Sequence, residues 1–97
     1  MIRSFRDQGT EDLFYGRPTK AARKSVPQSL WSTTSRKLDA IDSASTLDDL
    51  LIPPGNRLEA LKGDRVGQHS IRINRQYRIC FRWTDAGPED VQVVDYH

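Results

Sequence analysis

The chain closes on Asp95, Tyr96 and His97, a carboxylate, a phenol and an imidazole carried by the strand-forming run Val91–Val94. The termini of small domains usually fray, so three functional groups at the end of a β-run are candidates for chemistry. Upstream, "QYRICFRW" alternates Tyr77, Ile79, Phe81 and Trp83 with Arg78, Cys80 and Arg82. If the apolar set faces a core, Arg78 and Arg82 project from the opposite face, where a planar, permanently charged fork suits phosphate. By the same parity, "RLEALKG" puts Leu58 and Ala60 inside and Glu59 on the open face, with Lys62 at the strand end. Metal-free RNA cleavage needs a base for the 2′-hydroxyl, cations for the crowded phosphorane and an acid for the departing 5′-oxygen. Glu59, Lys62, Arg78 and His97 are residues of those types.

A chain of 97 residues makes one domain with a single modest core. Charge is unevenly distributed behind the net +2. Residues 1–37 carry eight Lys/Arg against Asp7, Glu11 and Asp12, and residues 38–61 carry Arg57 against five acids. Residues 62–82 carry Lys62, Arg65, Arg72, Arg75, Arg78 and Arg82 against Asp64 alone. Two basic zones around an acidic one suit a polyanion better than a small neutral substrate, and they make Arg65, Arg72 and Arg82 candidate RNA contacts. Cys80 is the single cysteine, and His69 and His97 lack ligand spacing, so no disulfide, metal or cofactor is expected. The N-terminus has no signal-peptide apolar run, and no apolar stretch approaches a bilayer span. A cytoplasmic protein without membrane contact is expected.

The elements that must position these residues follow from periodicity. "MIRSF" reads as a short first strand, although Ile2 and Phe5 are out of alternation. "GTEDLFYG" reads as a short helix capped by Thr10 and ended by Gly16. Residues 17–28 hold Arg17, Lys20, Arg23 and Lys24, with Pro18 and Pro27 and without apolar periodicity, and read as a mobile basic loop. Leu30, Leu38 and Ile41 predict a helix over "SLWSTTSRKLDAIDSA". "STLDDLLIPPGN" predicts one helical turn capped by Ser45 or Thr46 and stopped by Pro53-Pro54-Gly55. The period then changes to two through "RLEALKG", "GQHSIRIN", "QYRICFRW" and "VQVVDY". Asp95 and His97 share a side of the last strand by parity, with Tyr96 on the other. The expected fold is α+β, with helices on one face of an antiparallel sheet and the other face open.

Taken together, "RLEALKGDRVGQHSIRINRQYRICF", the terminal "VVDYH" and the opening "MIRSF" resemble the HigB toxins, a branch of the RelE superfamily within type II toxin–antitoxin systems. The resemblance covers nearly the whole chain and is weakest at residues 17–28. It implies two N-terminal helices packed on a curved antiparallel sheet of four or five strands, with a concave active face. It also implies a toxin that enters the ribosomal A site, cuts mRNA during translation and is silenced by a HigA-like antitoxin, reaching operator DNA only through that antitoxin. Carried over residue by residue, Lys62 and Arg78 would stabilise the scissile phosphate and His97 would move a proton or position the nucleotide. Asp95 would orient its neighbours or exchange protons, and Tyr96 would stack on a base. One position departs: characterised members carry histidine where this chain has Glu59. Glutamate is a competent base, yet a carboxylate on a phosphate-binding surface repels RNA, and attenuation is the expectation.

Two other functions fit the same fold. One is inhibition of DNA gyrase, as in the related ParE toxins, which lack the catalytic set. The other is RNA binding without chemistry. The terminal triad and Arg78 favour the nuclease.

Overall fold

In the computed structural model, which describes residues 1–96, the helical half is built by side-chain caps. α1 (Gln8–Phe14) starts at Asp7, whose Oδ1 accepts the Thr10 amide at 2.7 Å. Thr10, expected as the cap, is instead fully buried in the first turn, and its hydroxyl accepts the Val93 amide at 2.9 Å, tying helix to sheet. Gly16, at φ +73°, lies just past the C-cap, a left-handed conformation that favours glycine.

Residues 17–28 do not form the loop expected of them. Thr19 caps α2 (Lys20–Ser25), its hydroxyl accepting the Ala22 amide at 3.1 Å. Ala22 and Val26, four apart, are both buried, and a two-residue apolar stripe is too short to register as periodicity. Gly9 is what lets α1 and α2 meet: a Cβ there would lie 1.9 Å from Ser25 Oγ and 2.5 Å from the Ala21 carbonyl. Asp12 fastens the pair, accepting from Thr19 Oγ1 at 2.6 Å, Gln8 Nε2 at 2.9 Å and Arg17 Nη1 at 3.2 Å.

The Thr19 hydroxyl, then Gln8 and Arg17, hold the Asp12 carboxyl below its ordinary value of 3.8, although burial opposes them. A group depressed on folding stabilises the native state above its unfolded pKa and loses that contribution as pH falls through the folded one. The melting temperature should therefore decline from about pH 4 downwards. Asp12→Asn should flatten the decline, and an equally steep acid limb in that variant would assign it elsewhere.

α3 (Trp31–Ser43) enters through a 3₁₀ turn at Gln28–Leu30 and buries Thr34, Leu38 and Ile41 at positions i, i+4 and i+7. Thr46 and Asp49 form a reciprocal capping box on the turn Leu47–Leu51. None of the described helices is long and apolar enough to cross a membrane.

The described residues form a four-stranded antiparallel sheet in order β1 (Glu59–Ala60), β2 (His69–Arg72), β3 (Tyr77–Thr84), β4 (Gly87–Asp95). "MIRSF" does not become a sheet strand. It makes one parallel bridge, Phe5 to Val91, and covers the outer edge of β4 through the Arg3 and Arg6 amides, which donate to the Pro88 and Val91 carbonyls. β1 is shorter than its pattern because Arg57 (φ +47°) and Gly63 (φ +63°) turn the chain at either side. Leu61 is consequently the buried residue there and Ala60 is exposed, the reverse of the expectation for Ala60. Ile71, Ile79, Phe81, Val91 and Val93 form the helix-facing side of the sheet and pack into one cluster with Leu13, Leu38 and Ile41.

Candidate active site

Because Ile79 and Phe81 go into the core, Arg78 must emerge on the other face, and neighbouring residues hold it rigid. Its side chain is only 11% exposed. Nε donates to Ser70 Oγ at 2.7 Å, while Nη2 donates to the Arg57 carbonyl at 2.6 Å and the Ser70 carbonyl at 3.3 Å. Nη1 donates no hydrogen bond to any described residue, leaving two N–H groups for a ligand. Glu59 Oε1 stands 3.7 Å from Nε, on the open face as its parity predicts. The Tyr96 ring lies over the guanidinium, its centroid 5.9 Å from Cζ.

Around Arg78 is a cleft of about 270 Å³ lined by Arg57, Arg72 and Arg75, together with Glu59, Asn74 and Tyr96. Arg72 is the cross-strand partner of Arg78. Like charges directly opposite each other destabilise a sheet, so a paired arginine rung with one half-exposed carboxylate nearby is an arrangement suited to a polyanion. A larger cavity, about 550 Å³, lies between the end of α3 and the β3–β4 turn, but no arginine, lysine or histidine lines it.

Burial pushes the Tyr96 phenol above its ordinary value, the charges of Cys80 and Glu59 add to this, and Arg78 and Arg65 only partly offset it. The phenol therefore stays protonated at neutral pH and is suited to stacking and donating rather than to acting as a base. Burial likewise pushes up the Cys80 thiol, against the pull of Arg65 and Arg78. Cys80 and Ser70 are fully buried on what was expected to be an open face. Arg65 crosses that face, donating to Gln68 at 3.2 Å and Gln92 at 3.3 Å, and Gln92 is the strand partner of Cys80. The face is thus roofed at its centre and open around Arg78.

Arg78, Glu59, Arg72 and Tyr96 come together, and Arg65 lies beside them. Three other candidates do not join. Lys62 is exposed at the far end of β1 from Arg57 and does not line the cleft. Arg82 lies four residues along β3, about 13 Å at strand rise, beyond a bulge that places Asp90 at φ +52°, and approaches Gly67 instead. Asp95 pairs with Tyr77 and continues the alternation of Val91 and Val93, so it lies on the helix side of the sheet, where it accepts from Gln76 Nε2 at 3.1 Å. Tyr96, rather than Asp95, shares the face of Arg78. His97 lies outside the described residues. Among the described residues, no three His, Cys, Asp or Glu side chains gather as a metal site requires.

Sequence reasoning missed Ser70, Arg57, Asn74 and Arg75. The parity of Ser70 against Ile71 signalled its face. The role of Arg57 is played by its main-chain carbonyl, for which no residue type is a signal.

Comparison with known proteins bears on the family and the fold. Toxin HigB-1 of Vibrio cholerae serotype O1 is 41% identical over 86 residues, covering 89% of this chain and 87% of that protein. Endoribonuclease HigB of Proteus vulgaris is 33% identical over 101 residues, covering both chains completely. A chain in the YoeB-YefM complex from Staphylococcus aureus superposes with a TM-score of 0.60 at 22% identity, covering 100% of this chain and 95% of that one, and shares the fold. Residues 3–97 match the family described as "RelE-like toxin of type II toxin-antitoxin system HigB", and the chain belongs to that family.

Proposed function

We propose that this toxin is a ribosome-dependent endoribonuclease that cuts mRNA in the A site, and that Arg78 is the centre of its phosphate-binding machinery. The observation that carries the reading is the Arg72–Arg78 rung beneath Tyr96, with Arg78 fixed by Ser70 and Arg57 and two N–H groups unused. Donors set in advance where charge develops need no reorganisation during reaction. The Arg78 guanidinium would neutralise the phosphorane, Arg72 and Arg75 would hold flanking phosphates, and Tyr96 would stack on a base. His97 is assigned proton transfer at the 2′-hydroxyl or 5′-oxygen. Lys62, Arg65 and Arg82 would guide RNA outside the cleft. Asp95 would secure the strand end that carries Tyr96 through its bond to Gln76. A HigA-like antitoxin would restrain the toxin in the cytoplasm, and that antitoxin, rather than the toxin, would contact operator DNA.

The test removes only Tyr96 and His97. Full-length and shortened chains are induced, and 5′ ends are mapped on a reporter mRNA with translation active or blocked. Cleavage confined to the full chain and to translated message is expected. Growth arrest by both chains without cut message would replace the nuclease with binding alone, to gyrase or to RNA.

Glu59 competes with RNA phosphate for Arg78. A half-exposed ion pair contributes about 0–1 kcal/mol, so Glu59→His should accelerate cleavage roughly two- to fivefold at equal protein level. An equal or slower rate would favour Glu59 as the base.

A further inference from the structure

The sheet alone does not hold Arg78. One partner of Nη2 is the carbonyl of Arg57, in the segment that precedes β1. Arg57 adopts a left-handed conformation (φ 47°, ψ 53°), with its amide donating to the Pro54 carbonyl at 3.1 Å. A non-glycine residue holds that conformation only where its surroundings enforce it. The enforcing group is its neighbour Asn56, which is 1% exposed. Its Nδ2 donates to the Leu50 carbonyl at 3.2 Å and the Ile52 carbonyl at 3.4 Å, and its Oδ1 accepts from Lys37 Nζ. Leu50 is itself anchored in the core.

Lys37 comes from α3, in the opposite layer. It is half-buried, with no carboxylate among the described residues within ion-pair distance. Desolvation, and then the charge of Arg36, lower its pKa. An ammonium group held there loses hydration that an apolar side chain would not need to lose, and the described residues show one use for it, the hydrogen bond to Asn56.

We propose that Lys37 and Asn56 are positioning residues for the cleavage reaction: through the Arg57 carbonyl they fix the guanidinium of Arg78 so that Nη1 faces the scissile phosphate. This inference rests on the reading of Arg78 given above. It connects the helical layer to the reacting face through Lys37, Asn56 and Arg57, and neither Lys37 nor Asn56 lines the cleft.

Single-turnover cleavage on programmed ribosomes, with melting curves for every variant, tests it. Lys37→Met should slow cleavage at saturating ribosome about ten- to hundredfold, as expected for a misaligned catalytic group. The ribosome concentration giving half the maximal rate should stay within about twofold, because contacts outside the cleft are untouched. Lys37→Arg, which restores a cationic donor, should recover most of the rate, and Asn56→Ser should behave like Lys37→Met. An unchanged rate, or a loss carried wholly by weaker ribosome binding, overturns the proposal. So does unfolding of both Lys37→Met and Asn56→Ser at the assay temperature, which would make the clasp purely structural. Arg78→Ala is run alongside: if it cleaves normally, the reading of the site itself fails. If it is inactive while Lys37→Met is normal, only the positioning role is lost.

Discussion

Arg78→Ala is expected to reduce ribosome-dependent mRNA cleavage by roughly 10²–10³-fold, the loss typical of removing one preorganised charge-stabilising group. The side chain is almost buried yet leaves Nη1 free of the described residues, so its ordering cost is met before substrate arrives. The fold should survive. Ser70 Oγ can rotate towards another partner, the Arg57 carbonyl gains access to water, and the unfavourable rung with Arg72 is relieved. A net destabilisation of about 1–2 kcal/mol is expected. Arg78→Lys should remain strongly impaired, because the three N–H groups of an ammonium cannot hold Ser70 and Arg57 and still offer two donors to a phosphate. Mapping 5′ ends at matched expression, with a urea melt of the same preparations, reads both quantities. Normal cleavage by Arg78→Ala would remove Arg78 from the chemistry.

Phe81→Ala should have the largest effect on stability. Phe81 is fully buried at the centre of the helix-facing side, with the His69 ring stacked on it at 6.4 Å. Truncating such a residue costs roughly 3–5 kcal/mol, from lost burial plus the cavity left behind. Set against a typical stability of about 5–15 kcal/mol, that is a large fraction of the total. The melting temperature of a domain this size should fall by roughly twenty degrees, with the urea midpoint lower and its slope unchanged. Phe81 follows Arg78 by three residues on the same strand, so cleavage should also weaken at temperatures where the variant is partly unfolded, and should recover on cooling. A cost below about 2 kcal/mol would mean that the helices collapse into the space.

Much of this was legible because strand alternation is local. "QYRICFRW" separates Ile79 and Phe81 from Arg78 with a period of two, and nothing distant can reverse that without breaking the strand. Glu59 landed on the predicted face for the same reason. The short helix α2 was missed because Ala22 and Val26 are too few to make a pattern, and only their packing in the core cluster, with Gly9 leaving room for α2, accounts for their burial. The face taken by Asp95 was not legible, because "VQVVDY" carries valines on both parities, Val91 and Val93 on one and Val94 on the other. Pairing with β3 selects Val91 and Val93 for the core, which takes Asp95 with them and turns Tyr96 towards Arg78.

By itself the sequence determined the α+β class, the two basic zones, and the emergence of Arg78 opposite the core, all properties of composition or of neighbours along one chain. Tertiary structure alone decided that Arg72 opposes Arg78, that Lys62 and Arg82 lie away from the cleft, and that a backbone carbonyl at Arg57 grips the guanidinium. Those outcomes depend on register between strands and on a left-handed turn held by a buried asparagine. They are set by contacts between residues far apart in the chain, where no local period carries the information.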